Sequence, residues 1–359
     1  MTRPLRSIDD LIAAGLADAD DRVDLHGVAA RYAVAVTPAM AALIDTAAPD
    51  DPIALQFVPR AQELIRSGEE TDDPIADHPH APVKGIVHRY ADRVLLKATH
   101  TCPVYCRFCF RREMVGPDGD GTLTRAEIDA ALAYVAARPA IREVIVTGGD
   151  PFVLSERRIA AITAAIAALP HVETIRWHSR VPVVEPERVT SAFVDALTRP
   201  AGRTRVTVAI HANHAREFSP EAQAAVARLA EAGITLLSQS VLLRGVNDRA
   251  DVLADLVRAF HANRIRPYYL HHGDLAPGTG HFRLPLAEGL KLVEALRSAL
   301  AGMTLPTYVL DLPGGHGKVP VARALPLADG RFLFTDHSGR GHVYPPRWPE
   351  TEKAAAVSG

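Results

Sequence analysis

Cysteine is nearly absent from this chain, with three in 359 residues. Three thiols cannot form a paired disulfide framework, which excludes a stapled secreted scaffold. Charge of one sign is lacking as well. Forty Lys and Arg stand against 42 Asp and Glu, a net charge of -2. That balance gives no electrostatic case for nucleic acid or an anionic membrane surface as a partner. No long hydrophobic run occurs; the greasiest stretch, AAITAAIAAL (160–169), is Ala-rich and too short to cross a bilayer. The opening residues MTRPLRSIDD contain no apolar segment of the secretory kind. These absences predict a soluble, cytoplasmic protein of a reducing compartment, with no membrane role.

What is present is a substantial apolar fraction, 48%, in a chain long enough for one large or two ordinary domains. After residue 93, short β-branched runs alternate with helical patterns. The expected strands are VLLKATH (94–100), EVIVTGG (143–149), TIRWHS (174–179), VTVAIHA (206–212), TLLSQSVLL (235–243) and RPYYLHH (266–272). Between them lie the amphipathic stretches TRAEIDAALAYVAA, SERRIAAITAAIAAL, RVTSAFVDAL, SPEAQAAVARLAEAG and DRADVLADLVRAFHA. Each opens on a capping or early acidic residue, and Gly233 stands where a terminating glycine belongs. LAEGLKLVEALRSAL adds a further helix. Strand–helix alternation with short connections predicts parallel strands in crossover units, hence an α/β barrel or partial barrel.

In that architecture chemistry gathers at the carboxyl ends of the strands. The cysteine loop, GGDP, HSR, HANH, SQS and HHGD all lie at or near those ends and are expected to converge on one face. Upstream, SIDDLIAAGL and VTPAMAALID read as helices, followed by the Pro- and Asp-rich connector DDPIADHPHAP. The expected organisation is a helical region and connector over 1–87, a βα core over 88–304, and a C-terminal segment over 305–359. After residue 320 only RFLFTD reads as a strand.

All three cysteines, Cys102, Cys106 and Cys109, fall in CPVYCRFCFRRE (102–113). Flanked by Arg107, Arg111 and Arg112, they make a poor core segment. A structural zinc site wants four closed ligands, for which a histidine such as His100 would have to complete the set. An iron–sulfur cluster on three thiolates leaves one iron open to bind a small molecule. The spacing of three residues and then two resembles that of the radical S-adenosylmethionine enzymes.

With VTGGDPFVLS, HSRVPVV, QSVLLRGVND, RPYYLHHGDL and LDLPGGHGKVPV in order from His88 to Pro320, the chain resembles the lysine 2,3-aminomutase family. The resemblance implies a partial (β/α)6 barrel of the radical S-adenosylmethionine type with N- and C-terminal extensions. It also implies three cofactors: a [4Fe–4S] cluster on the three cysteines, S-adenosylmethionine and pyridoxal 5′-phosphate. By the same resemblance Gly148, Gly149 and Asp150 hold the amino group of S-adenosylmethionine, although GGD alone is also a common turn. Lys318 resembles the lysine that forms the Schiff base to pyridoxal phosphate. Read alone, PGGHGKVP is an exposed loop, because Val319 and Leu312 break the phosphate-loop pattern. The family has glycine where His316 stands. Arg89 and Arg93 in HRYADRVL, with Gln239, resemble the phosphate-binding set. Arg111 resembles the arginine that clamps the substrate α-carboxylate, while Arg107 and Arg112 read as solvated neighbours. Asp274 and Asp311 read either as turn residues or, by resemblance, as the pair that binds a distal ammonium.

The implied reaction moves the α-amino group of L-lysine to its β-carbon through a 5′-deoxyadenosyl radical and the cofactor imine. Glutamate or arginine is the alternative substrate, and a related branch supplies β-lysine to elongation factor P. A zinc or iron–sulfur binding module is the non-enzymatic alternative. The resemblance also implies an electron donor such as flavodoxin or ferredoxin, and a possible homo-oligomer. Long family members carry a zinc-binding C-terminal segment rich in cysteine. With no cysteine outside the cluster loop, this chain is expected to hold no structural zinc.

Overall fold

A computed structural model describes residues 3–115 and 121–346; residues 347–359 of the C-terminal segment lie outside them. Nine strands form one sheet in chain order: β1 (Ile86–Tyr90), β2 (Arg93–Thr99), β3 (Glu143–Gly148), β4 (Thr174–Ser179), β5 (Arg205–His211), β6 (Thr235–Val241), β7 (Arg266–His271), β8 (Thr307–Asp311) and β9 (Lys318–Pro320). Strands β2 to β8 run parallel, each beside the next. The edge strands β1 and β9 are antiparallel to their neighbours. The six strands expected from the sequence are β2 to β7, with ends shifted by no more than two residues. Strand β8 extends the parallel set, and no helix of the described residues is long and apolar enough to cross a membrane.

Local chemistry starts the intervening helices where the sequence puts caps. The hydroxyls of Thr124, Ser155, Thr190 and Ser219 each accept a backbone N–H three residues on, at 3.3, 3.4, 3.1 and 3.3 Å. The helices run Arg125–Ala136, Glu156–Ala167, Ser191–Thr198 and Pro220–Glu231, with Ala250–Ala262 and Leu286–Ala299 following. A further upstream helix, Arg22–Ala29, was not expected.

Side chains alternate across each strand. On β4, Ile175 and Trp177 are fully buried on the helix side, where Trp177 packs beside Phe152 with centroids 6.0 Å apart. Phe152 in turn meets Phe193 of the helix Ser191–Thr198 at 4.8 Å. Arg176 and His178, one residue out of phase, line a cavity on the other side, as do Ala209 and His211 on β5. The same phase gives Gln239 and Val241 on β6, and Tyr269 and His271 on β7.

The curled sheet does not close through its backbone, because β1 and β9 are not paired. A side chain spans the seam instead: the Lys318 N–H of β9 donates to the Tyr90 hydroxyl of β1 at 2.8 Å. Past β9 a separate three-stranded antiparallel sheet holds β10 (Leu325–Pro326), β11 (Phe332–Thr335) and β12 (Gly341–Tyr344). The RFLFTD strand expected from the sequence is β11.

Residues upstream of the sheet pack on the cysteine loop. The Gln56 carbonyl accepts from the Arg107 N–H and the Ala35 carbonyl from the Tyr105 N–H, both at 2.9 Å. Arg107 and Arg112, expected at the solvated surface, are buried instead. Both guanidiniums converge on the buried Glu63 carboxylate, Arg107 at 2.6 Å through Nη2. Burial alone would raise the Glu63 pKa, but the two guanidiniums hold it below the ordinary value. No local pattern reveals the pairing, since Glu63 lies 44 residues from Arg107 in the chain.

Candidate active site

The strand ends and following loops enclose a cavity of about 320 Å³. Every site residue expected from the sequence lines it: Cys102, Cys106, Cys109, Gly148, Gly149, Asp150, Arg89, Arg93, Arg111, Gln239, Asp274, Asp311 and Lys318. The convergence follows from the parallel register, which places successive strand ends side by side.

The three thiols come together in the loop after β2, where the Cys109 N–H donates to the Cys106 carbonyl at 3.0 Å. Arg180 Nη1 lies 2.9 Å from the Cys106 sulfur. Its other terminal nitrogen is held at 2.8 Å by the buried Glu217. Burial pushes the Cys109 thiol up to about 11 and the Cys102 thiol well above its ordinary value. Three half-buried thiols in one place, Cys102 and Cys109 held in their protonated form, therefore ask for a cation to become thiolates. The donor set suits iron.

The two glycines after β3 answer to close backbone approach. A Cβ on Gly148 would stand 2.2 Å from the Thr99 carbonyl oxygen, and one on Gly149 would stand 2.5 Å from that of Thr101. The strand end thus lies against the entry to the cysteine loop, fixed by Gly149 N–H to Thr99 O at 2.6 Å and Asp150 N–H to Thr101 O at 2.9 Å. The Asp150 carboxylate accepts from Ser179 Oγ at 2.8 Å, and from the N–H groups of Phe152, Arg180 and Val181 at 3.0, 2.6 and 3.1 Å. Four protein donors already satisfy it, so it locks β3 to the loop after β4.

Arg111 donates through Nε to Asp77 Oδ2 at 3.0 Å, and Arg89 Nη2 lies 3.4 Å from Oδ1 of the same carboxylate. Asp77 is fully buried. Burial works to raise its pKa, and the charges of Arg111, Lys97 and Arg89 outweigh that and hold it low. Asp77 orients two arginines at the cavity wall, a role the Pro- and Asp-rich connector gave no sign of. Arg93 stacks over the Tyr90 ring at 3.9 Å and pairs with Asp92 at 2.8 Å.

Lys318 Nζ sits 2.7 Å from Asp311 Oδ1, and His271 Nδ1 lies 3.3 Å from Oδ2. Burial would raise the Asp311 pKa, but the Lys318 ammonium holds it well below the carboxylate range. Asp274 moves the other way, pushed up to about 8 by burial and then by the Asp311 charge. This sign has a consequence for stability. A carboxyl whose folded pKa is raised stabilises the fold below its unfolded value and loses that contribution as pH rises through the folded one. The melting temperature of Asp274→Asn is therefore expected to exceed that of wild type by a margin that grows from about pH 4 to about pH 8. Paired thermal scans of the unliganded proteins check it; a margin independent of pH would contradict it.

His178, His211 and His271, from motifs expected at this face but without an expected role, are also here. All three line the cavity, and the Nε2 atom of each is buried without a hydrogen-bond partner among the described residues. Burial lowers the pKa of each, which favours the neutral ring. Such orphaned atoms suit a polar ligand filling the cavity. Inward phase on β4, β5 and β7 is the signal that finds them.

A thiol cluster at the strand ends of an open parallel α/β sheet agrees with a radical S-adenosylmethionine enzyme, and residues 96–257 match the Radical SAM superfamily. The chain is 42% identical to an L-lysine 2,3-aminomutase of Acetoanaerobium sticklandii over 80% of its own length and 69% of the relative. An L-lysine 2,3-aminomutase of Escherichia coli is 33% identical over 87% of this chain and 90% of its own. A glutamate 2,3-aminomutase of Clostridioides difficile is 34% identical over 82% and 68%. This chain belongs to the lysine 2,3-aminomutase family of radical S-adenosylmethionine isomerases. Membership brings a [4Fe–4S] cluster, S-adenosylmethionine and pyridoxal 5′-phosphate as cofactors. The thiol set, the glycine-lined approach and the lysine among arginines fit the three groups.

Proposed function

We propose that the chain isomerises L-lysine to β-lysine. The observation carrying this reading is the Lys318 ammonium on Asp311 at 2.7 Å, in the cavity that Asp274 also lines. The pocket already accommodates an alkylammonium on a carboxylate, the group a lysine substrate carries at its far end. In the proposed assignment Cys102, Cys106 and Cys109 hold the cluster. Backbone at Gly148, Gly149 and Asp150 receives the amino group of S-adenosylmethionine, with the Asp150 carboxylate fixing that turn. Arg89, Arg93 and Gln239 hold the phosphate of pyridoxal phosphate, and Lys318 attaches it covalently.

When bound, these cofactors supply the one-electron chemistry that breaks an unactivated C–H bond and the electron delocalisation that lets nitrogen migrate. The protein positions and shields. Arg111, preset by Asp77, clamps the α-carboxylate in a fork geometry. Asp311, once Lys318 is engaged elsewhere, takes the distal ammonium together with Asp274. Binding that cation returns Asp274 to its anionic form, so lysine binding releases a proton below about pH 8. A cluster held by Cys102, Cys106 and Cys109 would be reduced by a small redox protein of the flavodoxin or ferredoxin kind.

Glutamate would bring a third carboxylate to Asp274 and Asp311, a like-charge contact that selects against it. Losing one aspartate from a desolvated pair should weaken lysine binding by roughly 2–5 kcal/mol. Reconstituted enzyme incubated with lysine, arginine and glutamate, with α and β products resolved, tests the reading. Lysine is expected to dominate, and Asp311→Asn to raise its KM steeply. Equal turnover of glutamate, or unchanged lysine kinetics in Asp274→Asn and Asp311→Asn, would reduce both aspartates to turn residues.

A further inference from the structure

Outside the cavity, three side chains from distant parts of the chain meet: His316 in the glycine loop before Lys318, Asp336 after β11, and His342 in β12. One potential ligand atom from each lies within 4.8 Å of the other two. None of the three lines the cavity. His342 Nε2 stands 2.8 Å from Asp336 Oδ2, and the two imidazole rings stack with centroids 4.0 Å apart at 29°.

The carboxylate is oriented as a ligand would be. Asp336 Oδ1 accepts from Ser338 N–H at 2.8 Å, Ser338 Oγ at 2.7 Å and Arg340 N–H at 3.0 Å. Those bonds fix its plane and direct Oδ2 at the histidines, the outer support that metal-binding carboxylates have. An ordinary Asp-organised turn explains the contacts of Oδ1. It does not explain why a second imidazole, from 26 residues upstream of His342, is stacked on the first. Two rings and a carboxylate converging on one point are what a divalent ion of intermediate softness gathers. Ligands about 2.0–2.1 Å from zinc stand roughly 3.4 Å apart at tetrahedral angles, so small side-chain shifts complete the site.

We propose that His316, Asp336 and His342 bind one divalent ion of the zinc class, which fastens the Lys318 loop to the C-terminal sheet. The loop needs a fastener: Gly314, Gly315 and Gly317 all adopt positive φ, of 82, 79 and 89°, a run of freely hinged positions. His316 lies among them, two residues before Lys318. The ion joins that run to the turn between β11 and β12 and limits where the lysine can reach. The lack of further cysteine bears only on a thiolate zinc site; these donors are imidazole and carboxylate.

The test uses cluster-loaded protein freed of adventitious metal and titrated anaerobically with zinc, and in parallel with cobalt(II). The occupied cluster removes the three thiols from competition, and iron content is followed throughout. Wild type is expected to take up one zinc per chain beyond its iron, and cobalt to give visible ligand-field bands. His316→Gly and His342→Gln are each expected to weaken binding about tenfold or more with iron content unchanged. No zinc bound by the cluster-loaded wild type overturns the proposal, as does binding unaltered in both variants. Should His342→Gln lose iron as well, His316→Gly decides, because the His316 side chain is only half-buried.

Discussion

Cys102→Ala, Cys106→Ala and Cys109→Ala are each expected to abolish cluster binding and turnover outright. The chain owns only these three thiols, so none can substitute for another. Three thiolates are also the least protein ligation that keeps a four-iron cluster while leaving one iron open. The loop has little freedom to recruit a different ligand, since Tyr105 and Arg107 are tied to Ala35 and Gln56 through their backbone. Cys106 has the further contact from Arg180, whose partner Glu217 is fully buried. Its loss therefore also leaves a buried guanidinium short of an acceptor, and Cys106→Ala should be the least stable of the three. Anaerobic reconstitution followed by iron and sulfide analysis measures the effect. A variant retaining four irons per chain and full activity would sink the assignment.

Lys318→Ala is expected to remove the covalently held pyridoxal phosphate, and turnover with it, while leaving iron content at the wild-type level. The two sites belong to different strands: the cysteine loop follows β2, and Lys318 opens β9 at the far edge of the sheet. The backbone N–H that donates to Tyr90 survives the substitution, so the seam between β1 and β9 stays joined. What changes is Asp311, which loses the ammonium at 2.7 Å and keeps only His271. Visible absorbance of the bound cofactor and iron analysis on the same sample separate the two losses. Persistence of that absorbance in the variant would mean that another lysine carries the cofactor.

The sheet was legible because its strands are short β-branched runs, bounded by capped helices that begin at Thr124, Ser155, Thr190 and Ser219. The cavity was legible through chain order alone, since parallel strands put GGDP, HSR and HHGD at neighbouring ends. Strands β1 and β9 were not, because β1 precedes the periodic region and β9 has three residues at a glycine turn. Asp77 and Glu63 were hidden for a different reason. Each is an acidic residue in an aperiodic stretch whose meaning depends on arginines 12 to 49 residues away, and no local pattern encodes such pairing. The GGD motif was legible as a site but not in its physics. Its glycines admit the carbonyls of Thr99 and Thr101, and its carboxylate serves the protein's own N–H groups.

The burial of Glu63 between two arginines of the cysteine loop carries a consequence for how the enzyme is made. Glu63 leaves the ribosome before Arg107 and Arg112, and a buried carboxylate without its guanidiniums is costly. The upstream region therefore settles only when the loop has emerged, and the two dock as one event. That docking is expected to bring the thiols together before iron binds. Protein produced under iron starvation is accordingly expected to resist protease as a folded chain without cluster absorbance that accepts iron later, and digestion at the loop would show instead that metal shapes it.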